Sequence, residues 1–275
     1  MMKRLFYLVL GLVVLAGCNK DDDENKLVIG KDFTERVEGM DLKMVYVKGG
    51  TFQMGATSEQ EDDYDGDEKP VHAVTLSDYY IGKYEVTQGL WRKVMGTTLE
   101  EQGDKAGYSD FYGEGDAYPM YYVSWNEAQE FCTKLSELTG RKYALPTEAQ
   151  WEYAARGGAK SQGYKYSGGN DIDEVAWYWG NSEEKYSTSP VGLNKANELG
   201  IYDMSGNVWE WCSDWYGDYS SEAQINPVGP ETGSARVLRG GSWDNDAKSC
   251  RVSNRDCDYP GSRSDYLGFR VALLP

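Results

Sequence analysis

Gly200-Ile201-Tyr202-Asp203-Met204-Ser205-Gly206-Asn207-Val208-Trp209-Glu210-Trp211 is the most informative run in the chain. It lies in the least periodic part of the chain. From 157 to 236 the residues are Gly, Asn, Asp, Tyr and Trp with little helical or strand pattern, and Trp209-Glu210-Trp211 directly after a Gly-Asn turn reads as a core motif. Regular elements are expected on either side. Thr87 can cap a helix in which Leu90, Trp91 and Val94 recur at helical spacing before Gly96. Ser124-Trp125-Asn126-Glu127 is a capping box, followed by Ala128, Phe131, Leu135 and Leu138 on one face and by Gly140. Thr147-Glu148-Ala149-Gln150 repeats the device ahead of Trp151, Ala154 and Ala155, with Gly157-Gly158 as terminator.

Strand patterns frame these helices. Met44–Val47 and Thr51–Met54 flank Gly49-Gly50 and predict a hairpin, and Val71–Leu76 alternates less cleanly. Arg236–Trp243 and Leu267–Leu273 predict further strands near the C-terminus. With no internal repeat, the pattern predicts a loop-rich α+β chain with one main domain.

Composition excludes several functions. In 275 residues, 28 Lys plus Arg stand against 45 Asp plus Glu, a formal net charge of −17. A surface this acidic repels phosphates, so no nucleic-acid partner is expected. The single histidine, His72, rules out two-His and three-His metal centres within the chain. Nine Trp, 22 Tyr and 32 Gly predict large amphipathic rings among many turns.

The N-terminus reads as an address. Lys3 and Arg4 precede an apolar run from Leu5 to Val14, too short to span a bilayer comfortably. Leu15-Ala16-Gly17-Cys18 resembles a bacterial lipobox, which implies cleavage before Cys18 and a lipid on its thiol. The following Asp21-Asp22-Asp23-Glu24 is similar to surface-export signals of Bacteroides-group lipoproteins. The expected organisation is therefore a signal peptide at 1–17, a lipidated acidic tether at 18–39 and a domain at 40–275. The expected location is the outer membrane, lipid-anchored and exposed at the cell surface, with a bland linker on a periplasm-facing lipoprotein as the alternative. Four further cysteines, Cys132, Cys212, Cys250 and Cys257, suit an oxidising compartment and contain no C-x-x-C pair. Cys212 with Cys250 is the disulfide expected among the three full pairings, and Cys132 is expected to be buried.

Several motifs together resemble the formylglycine-generating enzyme, or sulfatase-modifying factor, family. They are Gly49-Gly50-Thr51-Phe52-Gln53-Met54-Gly55, Tyr84-Glu85-Val86-Thr87, Leu145-Pro146-Thr147-Glu148 through Arg156-Gly157-Gly158, the quoted Gly200–Trp211 stretch, Arg239-Gly240-Gly241-Ser242-Trp243 and Gly268-Phe269-Arg270. The resemblance runs from about residue 40 to the C-terminus. It implies an α+β, C-type-lectin-like fold with short helices and small antiparallel sheets. Active members hold copper by a C-x4-C thiol pair starting three residues after the Ser of Gly-Gly-Ser. That first position falls here on Asn245, so the pair is incomplete and copper is not expected. The three-His iron branch is excluded by the lone His72, for which a structural role is expected. The resemblance also implies Ca2+ held by Asp203, Gly206, Val208 and Glu210, an oxygen donor set suited to a hard cation. An acidic run, Glu61-x-Asp63-x-Asp65-Gly66, falls short of an EF-hand because His72 occupies its twelfth position, and it reads as a solvated loop.

Between the framework residues of the C-terminal segment the palette narrows. The expected ligand contacts are Trp243, Asp244, Asn245, Asn254, Asp256, Asp258, Tyr259, Ser262, Ser264, Asp265 and Tyr266. With Cys257, the Asn, Asp, Ser, Gly, Tyr and Cys positions here can all arise from an Asn codon by changes at adenine. This pattern resembles target proteins of diversity-generating retroelements. Tyr supplies rigid contact area and the small polar residues supply adaptable hydrogen bonds, the mixture found in antibody loops; ordinary turns use the same residues. Three functions remain open: a surface recognition protein for a protein or other ligand, a formylglycine-generating oxidase with an altered site, and a structural part of a surface or motility complex.

Overall fold

The computed structural model describes residues 28–61, 63–182 and 186–274. The signal peptide, Cys18 and the first part of the tether lie outside the described residues. Among the described residues no helix is long and apolar enough to cross a membrane.

Three sheets carry the chain. The first has five strands in the order β1 (Phe33–Val37), β2 (Met40–Val47), β5 (Tyr79–Gly82), β12 (Ala272–Leu273) and β6 (Tyr143–Ala144). The second has the order β10 (Arg255–Asp258), β9 (Arg236–Arg239), β7 (Trp209–Trp215) and β11 (Leu267–Gly268). The third joins β3 (Gly50–Met54), β4 (His72–Leu76) and β8 (Gln224–Ile225). The domain thus begins before residue 40, since β1 pairs antiparallel with β2 from Phe33 opposite Met44 to Val37 opposite Met40. The hairpin expected across Gly49-Gly50 does not form. β2 pairs with β5 and β3 with β4, because the chain changes sheets at Gly49, where a Cβ would come within 2.3 Å of the Leu76 carbonyl. The C-terminal run also divides, β11 joining one sheet and β12 another.

The capped helices fall where their sequences place them. α1 (Gln88–Met95) starts with the Leu90 N–H donating to Thr87 Oγ1, and it ends at Gly96 in the left-handed region, φ 76°. α3 (Trp125–Thr139) and α4 (Glu148–Ala155) both carry full capping boxes. A further helix, α2 (Leu99–Ala106), is capped by the Thr98/Glu101 box, a signal present in the sequence but masked by its three acidic residues and weak apolar stripe. Two single-turn helices follow, α5 (Ile172–Val175) and α6 (Trp179–Ser182).

Two large apolar clusters form between these layers. In one, Trp91 stacks on Phe131 at 5.7 Å, and Phe269 meets both rings edge-on. In the other, Trp151, Tyr79, Ile81 and Cys212 pack together. Cys250 belongs to a third, small cluster with Tyr166, Val175 and Ala176. The expected Cys212–Cys250 disulfide is therefore absent, its two sulfurs lying in separate clusters, and all four described cysteines are free. Burial pushes the Cys132 thiol up to about 12 and that of Cys212 well above its usual range, so both behave as neutral apolar side chains.

Buried charge is as prominent as buried ring. Arg270 forks onto Glu210 with two contacts of 2.6 Å, Arg251 onto Glu68 at 2.6 and 2.8 Å, and Arg255 onto Glu148 with two of 2.8 Å. Fully buried Arg239 reaches Glu152 and the Ser253 carbonyl. The Asp65–Glu68 stretch of the acidic loop is accordingly docked, with Glu68 buried on Arg251 and Asp65 paired with exposed Lys248. At the end of β7, buried Asp214 accepts from the Glu148 N–H at the start of α4. Burial, reinforced by the Glu148 charge, pushes Asp214 up to about 7. Glu148, despite its own burial, is held below the usual carboxylate range by Arg255 and Arg239.

Two predictions follow from this charge arrangement. Arg270→Met removes the only guanidinium in contact with Glu210 among the described residues, and urea unfolding is expected to show a loss of about 3–5 kcal/mol; a loss below about 1 kcal/mol would show the fork to be dispensable. The second concerns pH. Because Asp214 ionises later folded than unfolded, the native state binds more protons between about pH 4 and 7, and stability from this group falls as pH rises through that window. Glu148 and Glu68, lowered in the fold, act oppositely and lose their contribution as pH drops through their folded values. Thermal melts are expected to rise from pH 8 to about 5 and fall below about 4, with Asp214→Asn flattening the upper arm.

Candidate functional site

The Gly200–Trp211 stretch builds a turn that delivers carboxylates into the centre of the molecule. Asp203 and Asn207 adopt positive φ, 56° and 65°. Gly206 lies so close to Trp177 that a Cβ would sit 2.1 Å from its carbonyl oxygen. Asn207 Nδ2 donates to Glu85 Oε2 at 2.7 Å and Asn207 Oδ1 accepts from the Ser189 N–H at 3.0 Å, which fixes the turn. Glu85 Oε1 also accepts from the Val208 N–H. Three buried carboxylates, Glu85, Asp203 and Glu210, thereby gather around one guanidinium, Arg270. Burial first, then the charges of Asp203 and Glu210, push Glu85 well above the carboxylate range, and burial pushes Asp203 up to about 6.

This cluster does not fit the expected calcium ligation. Both Glu210 oxygens are engaged by Arg270, and Oε2 also accepts from Trp151 Nε1. Asp203 Oδ2 accepts from the Gly192 N–H, leaving only the buried Oδ1 without a partner. Arg270 supplies the positive charge that the carboxylates require. Among the described residues no group of three or more His, Cys, Asp and Glu side chains is arranged to hold a metal.

The position expected to carry the first copper thiol is equally committed. Asn245 Oδ1 accepts from Trp209 Nε1 at 2.8 Å and from Ser242 Oγ at 2.7 Å, and its carbonyl accepts from the Trp179 N–H. Cys250 is fully buried, and burial, then Asp246, raise its thiol far above its ordinary value. A soft metal needs thiolates, and this environment opposes forming one.

The expected contact residues divide between framework and surface. Trp243 is buried, stacked on Tyr112 at 5.1 Å. Asn254 is also buried, its amide placed to donate to the Ser249 carbonyl and accept from Arg251. Trp243 and Asn254 therefore belong to the framework, while half-buried Asn245 has its side-chain oxygen taken by Trp209 and Ser242. Asp244, Asp256 and Tyr259 are exposed, Tyr259 at 68%, and Asp258, Ser262, Ser264, Asp265 and Tyr266 are half-buried. Asp258 Oδ1 accepts from the Tyr259 N–H and Ser262 Oγ, closing a turn that Arg263 pins to Glu127 at the start of α3. Against the opposition of burial, Arg263 and the Ser124 N–H hold Glu127 down to about 2.

Chain segments far away in sequence join this face. The Tyr122 N–H donates to the Ser264 carbonyl, and Tyr122 stacks on exposed Tyr108 at 5.4 Å. The Asp265, Asp244 and Asp110 charges act on Tyr112, whose phenol is raised first by burial. Exposed Trp179 and Tyr186 meet edge-on at 5.8 Å next to Asn245. Sequence reading missed Tyr108, Tyr112, Trp179 and Tyr186, and their only signal was the density of aromatic residues in non-periodic loops.

A model of the sulfatase-modifying factor enzyme 1-like domain matches residues 31–274. The chain belongs to this family. Formylglycine-generating enzyme of Thermomonospora curvata is 32% identical, with 84% of this chain and 93% of the relative aligned. Chaperone protein LppX of Paenibacillus barcinonensis is 36% identical over 79% of this chain and 82% of its own length. Among solved structures, Treponema denticola variable protein 1 superposes with a TM-score of 0.77 at 33% identity, covering 89% of this chain and 99% of its own. PvdO from Pseudomonas aeruginosa gives 0.73 at 28% identity, covering 91% and 100%. These neighbours bear out the expected α+β, C-type-lectin-like architecture of the sulfatase-modifying factor family, and the match from residue 31 agrees with a domain that starts at β1.

Since Arg270 already neutralises Glu210, titrating calcium into chelator-treated protein of this family member is expected to leave the unfolding midpoint unchanged. A midpoint that climbs with calcium concentration would show that the ion displaces the guanidinium.

Proposed function

We propose that this member of the sulfatase-modifying factor family is a ligand-recognition protein, held at the outer membrane by a lipid on Cys18 and presenting its C-terminal segment to a protein or other surface ligand. One observation carries the reading. The backbone of 243–266 is fixed by buried Trp243 and Asn254, half-buried Asn245 and the Arg263–Glu127 pair, while Asp244, Asp256, Tyr259 and Ser262 retain exposed surface. A rigid frame with exposed Tyr, Asp and Ser is the arrangement that lets a surface change partners without refolding. Likeness to a variable protein over nearly its whole length supports the same reading. In the diversified form of the proposal, an adenine-rich template repeat and a reverse transcriptase lie near the gene.

A second reading, the oxidase, is favoured by the extended identity with formylglycine-generating enzymes and opposed by Asn245 and the buried Cys250. Copper-treated protein incubated with a Cys-x-Pro-x-Arg peptide is expected to yield no aldehyde, and turnover to formylglycine would replace the recognition reading by the catalytic one. The recognition face is tested by a photo-crosslinking residue at Tyr259 or at Leu138, exposed on α3. Capture of one partner from Tyr259 alone is expected; equal capture from both positions would refute a specific face. A partner that stays bound through purification would favour the structural-complex alternative.

A further inference from the structure

A cavity of about 520 Å3 opens between β4, the end of β7 and the loop that follows it. None of the expected contact residues lines it. Its volume is in the range that small ligands occupy. Its floor contains buried His72, Glu148 and Asp214, and its mouth contains Ile225 and Val228, 76% and 67% exposed, beside Pro227 and Pro230.

The floor offers acceptors and few free donors. Arg255, the one Lys or Arg lining the cavity, spends its fork on Glu148 and its remaining contacts on the carbonyls of Asp67 and Gly217. The Tyr219 hydroxyl donates to Glu148 Oε1. His72 Nδ1 lies 3.1 Å from the Pro70 carbonyl, which can only accept, so Nδ1 is the donor in that bond and Nε2 is the ring nitrogen left for a ligand. Asp214 Oδ2 takes the Glu148 N–H and Ser213 Oγ, whereas Oδ1 accepts no hydrogen bond from the described residues. Gly229, at φ 72°, leaves the space beside this oxygen open, since a Cβ there would lie 3.2 Å from it.

We infer that this cavity is a binding site for a small organic ammonium compound, its charged head between Asp214 and His72 and its apolar portion against Ile225, Val228 and the prolines. An ammonium group carries three donors and no acceptor, matching the floor, and a hydrocarbon group matches the rim. An anion meets Asp214, Asp218 and Glu148 with no free guanidinium. The charged or titratable groups acting on Asp214 are Glu148 from α4, Arg255 from β10, Arg236 from β9 and Cys212 on its own strand. Burial holds Asp214 up to about 7, so the empty site takes a proton below neutrality and an entering cation must displace it.

The test uses full-chain protein and three ligands of one shape, phenethylamine, 3-phenylpropionate and 2-phenylethanol, titrated calorimetrically. Phenethylamine is expected to bind at least about tenfold more tightly than the other two, and about tenfold more tightly at pH 8 than at pH 6. Asp214→Asn is expected to weaken it by about tenfold or more. Val228→Lys, at an exposed rim position that leaves the interior untouched, is expected to weaken it too by placing a competing ammonium at the mouth. Asp256→Asn, on the proposed recognition face, is expected to leave it unchanged, so this site and that face can fail separately. Absence of binding, equal binding of 3-phenylpropionate, or indifference to both cavity substitutions would overturn the assignment.

Discussion

The fork between Arg270 and Glu210 joins parts of the chain that no local pattern brings together. Glu210 belongs to β7, in the middle of the four-stranded sheet, while Arg270 lies in the short link between β11 and β12, which join different sheets. The same guanidinium donates to the carbonyls of Gly82, at the end of β5, and of Tyr202 and Asp203. One side chain therefore ties two sheets to the central turn. Desolvating both charges is costly, and the cost is offset only because every polar atom of the pair finds a partner at short range. Such a pair is satisfied in one arrangement of the chain and strongly penalised in others.

The other buried arginines extend this logic to segments without periodicity. Arg251 holds the acidic 65–68 turn against the C-terminal segment, and Arg255 joins β10 to the start of α4. Arg239, from β9, reaches Glu152 inside α4. Irregular chain gains no position from repeated ladders, so its placement comes from a few specific long-range contacts, each needing good geometry. That is how a protein with short helices and two-residue strands keeps a defined interior. Glu148 and Glu152 lie one turn apart on α4 and share Arg239, with Glu148 also on Arg255 and Glu152 also on Arg156.

These contacts also separate what the sequence revealed from what it hid. The caps at Thr87, Ser124 and Thr147 act within four residues, and the helices formed where local chemistry placed them. The Gly49-Gly50 turn looked like a hairpin because glycine pairs usually reverse a chain, but here close approach to Leu76 requires the glycine and the chain continues into another sheet. The break at Arg270 was invisible for a related reason. Leu267–Leu273 has strand composition throughout, and only the location of Glu210 explains why the ladder stops. In the contact segment, Asn by type predicts an exposed contact, whereas Asn254 is buried and half-buried Asn245 accepts from Trp209 and Ser242. Tyr108, Tyr112, Trp179 and Tyr186 reach the same face from remote loops, a convergence that no local pattern encodes.

Asn245 belongs to the framework beneath the C-terminal loop. A thiol at this position would give Trp209 Nε1 and Ser242 Oγ only a weak sulfur acceptor, whereas the amide oxygen accepts from both. Trp209 begins β7, and Ser242 and Trp243 follow directly on β9, so the amide braces two central strands of the same sheet. Cys250, buried with Tyr166, Val175 and Ala176, contributes apolar volume. Asn245 and Cys250 thus support the loop above them. A loop supported from below by buried hydrogen bonds can vary its exposed side chains with little effect on the core. Exchanging a residue such as Tyr259 changes what the surface contacts and leaves the Arg–Glu forks beneath it intact.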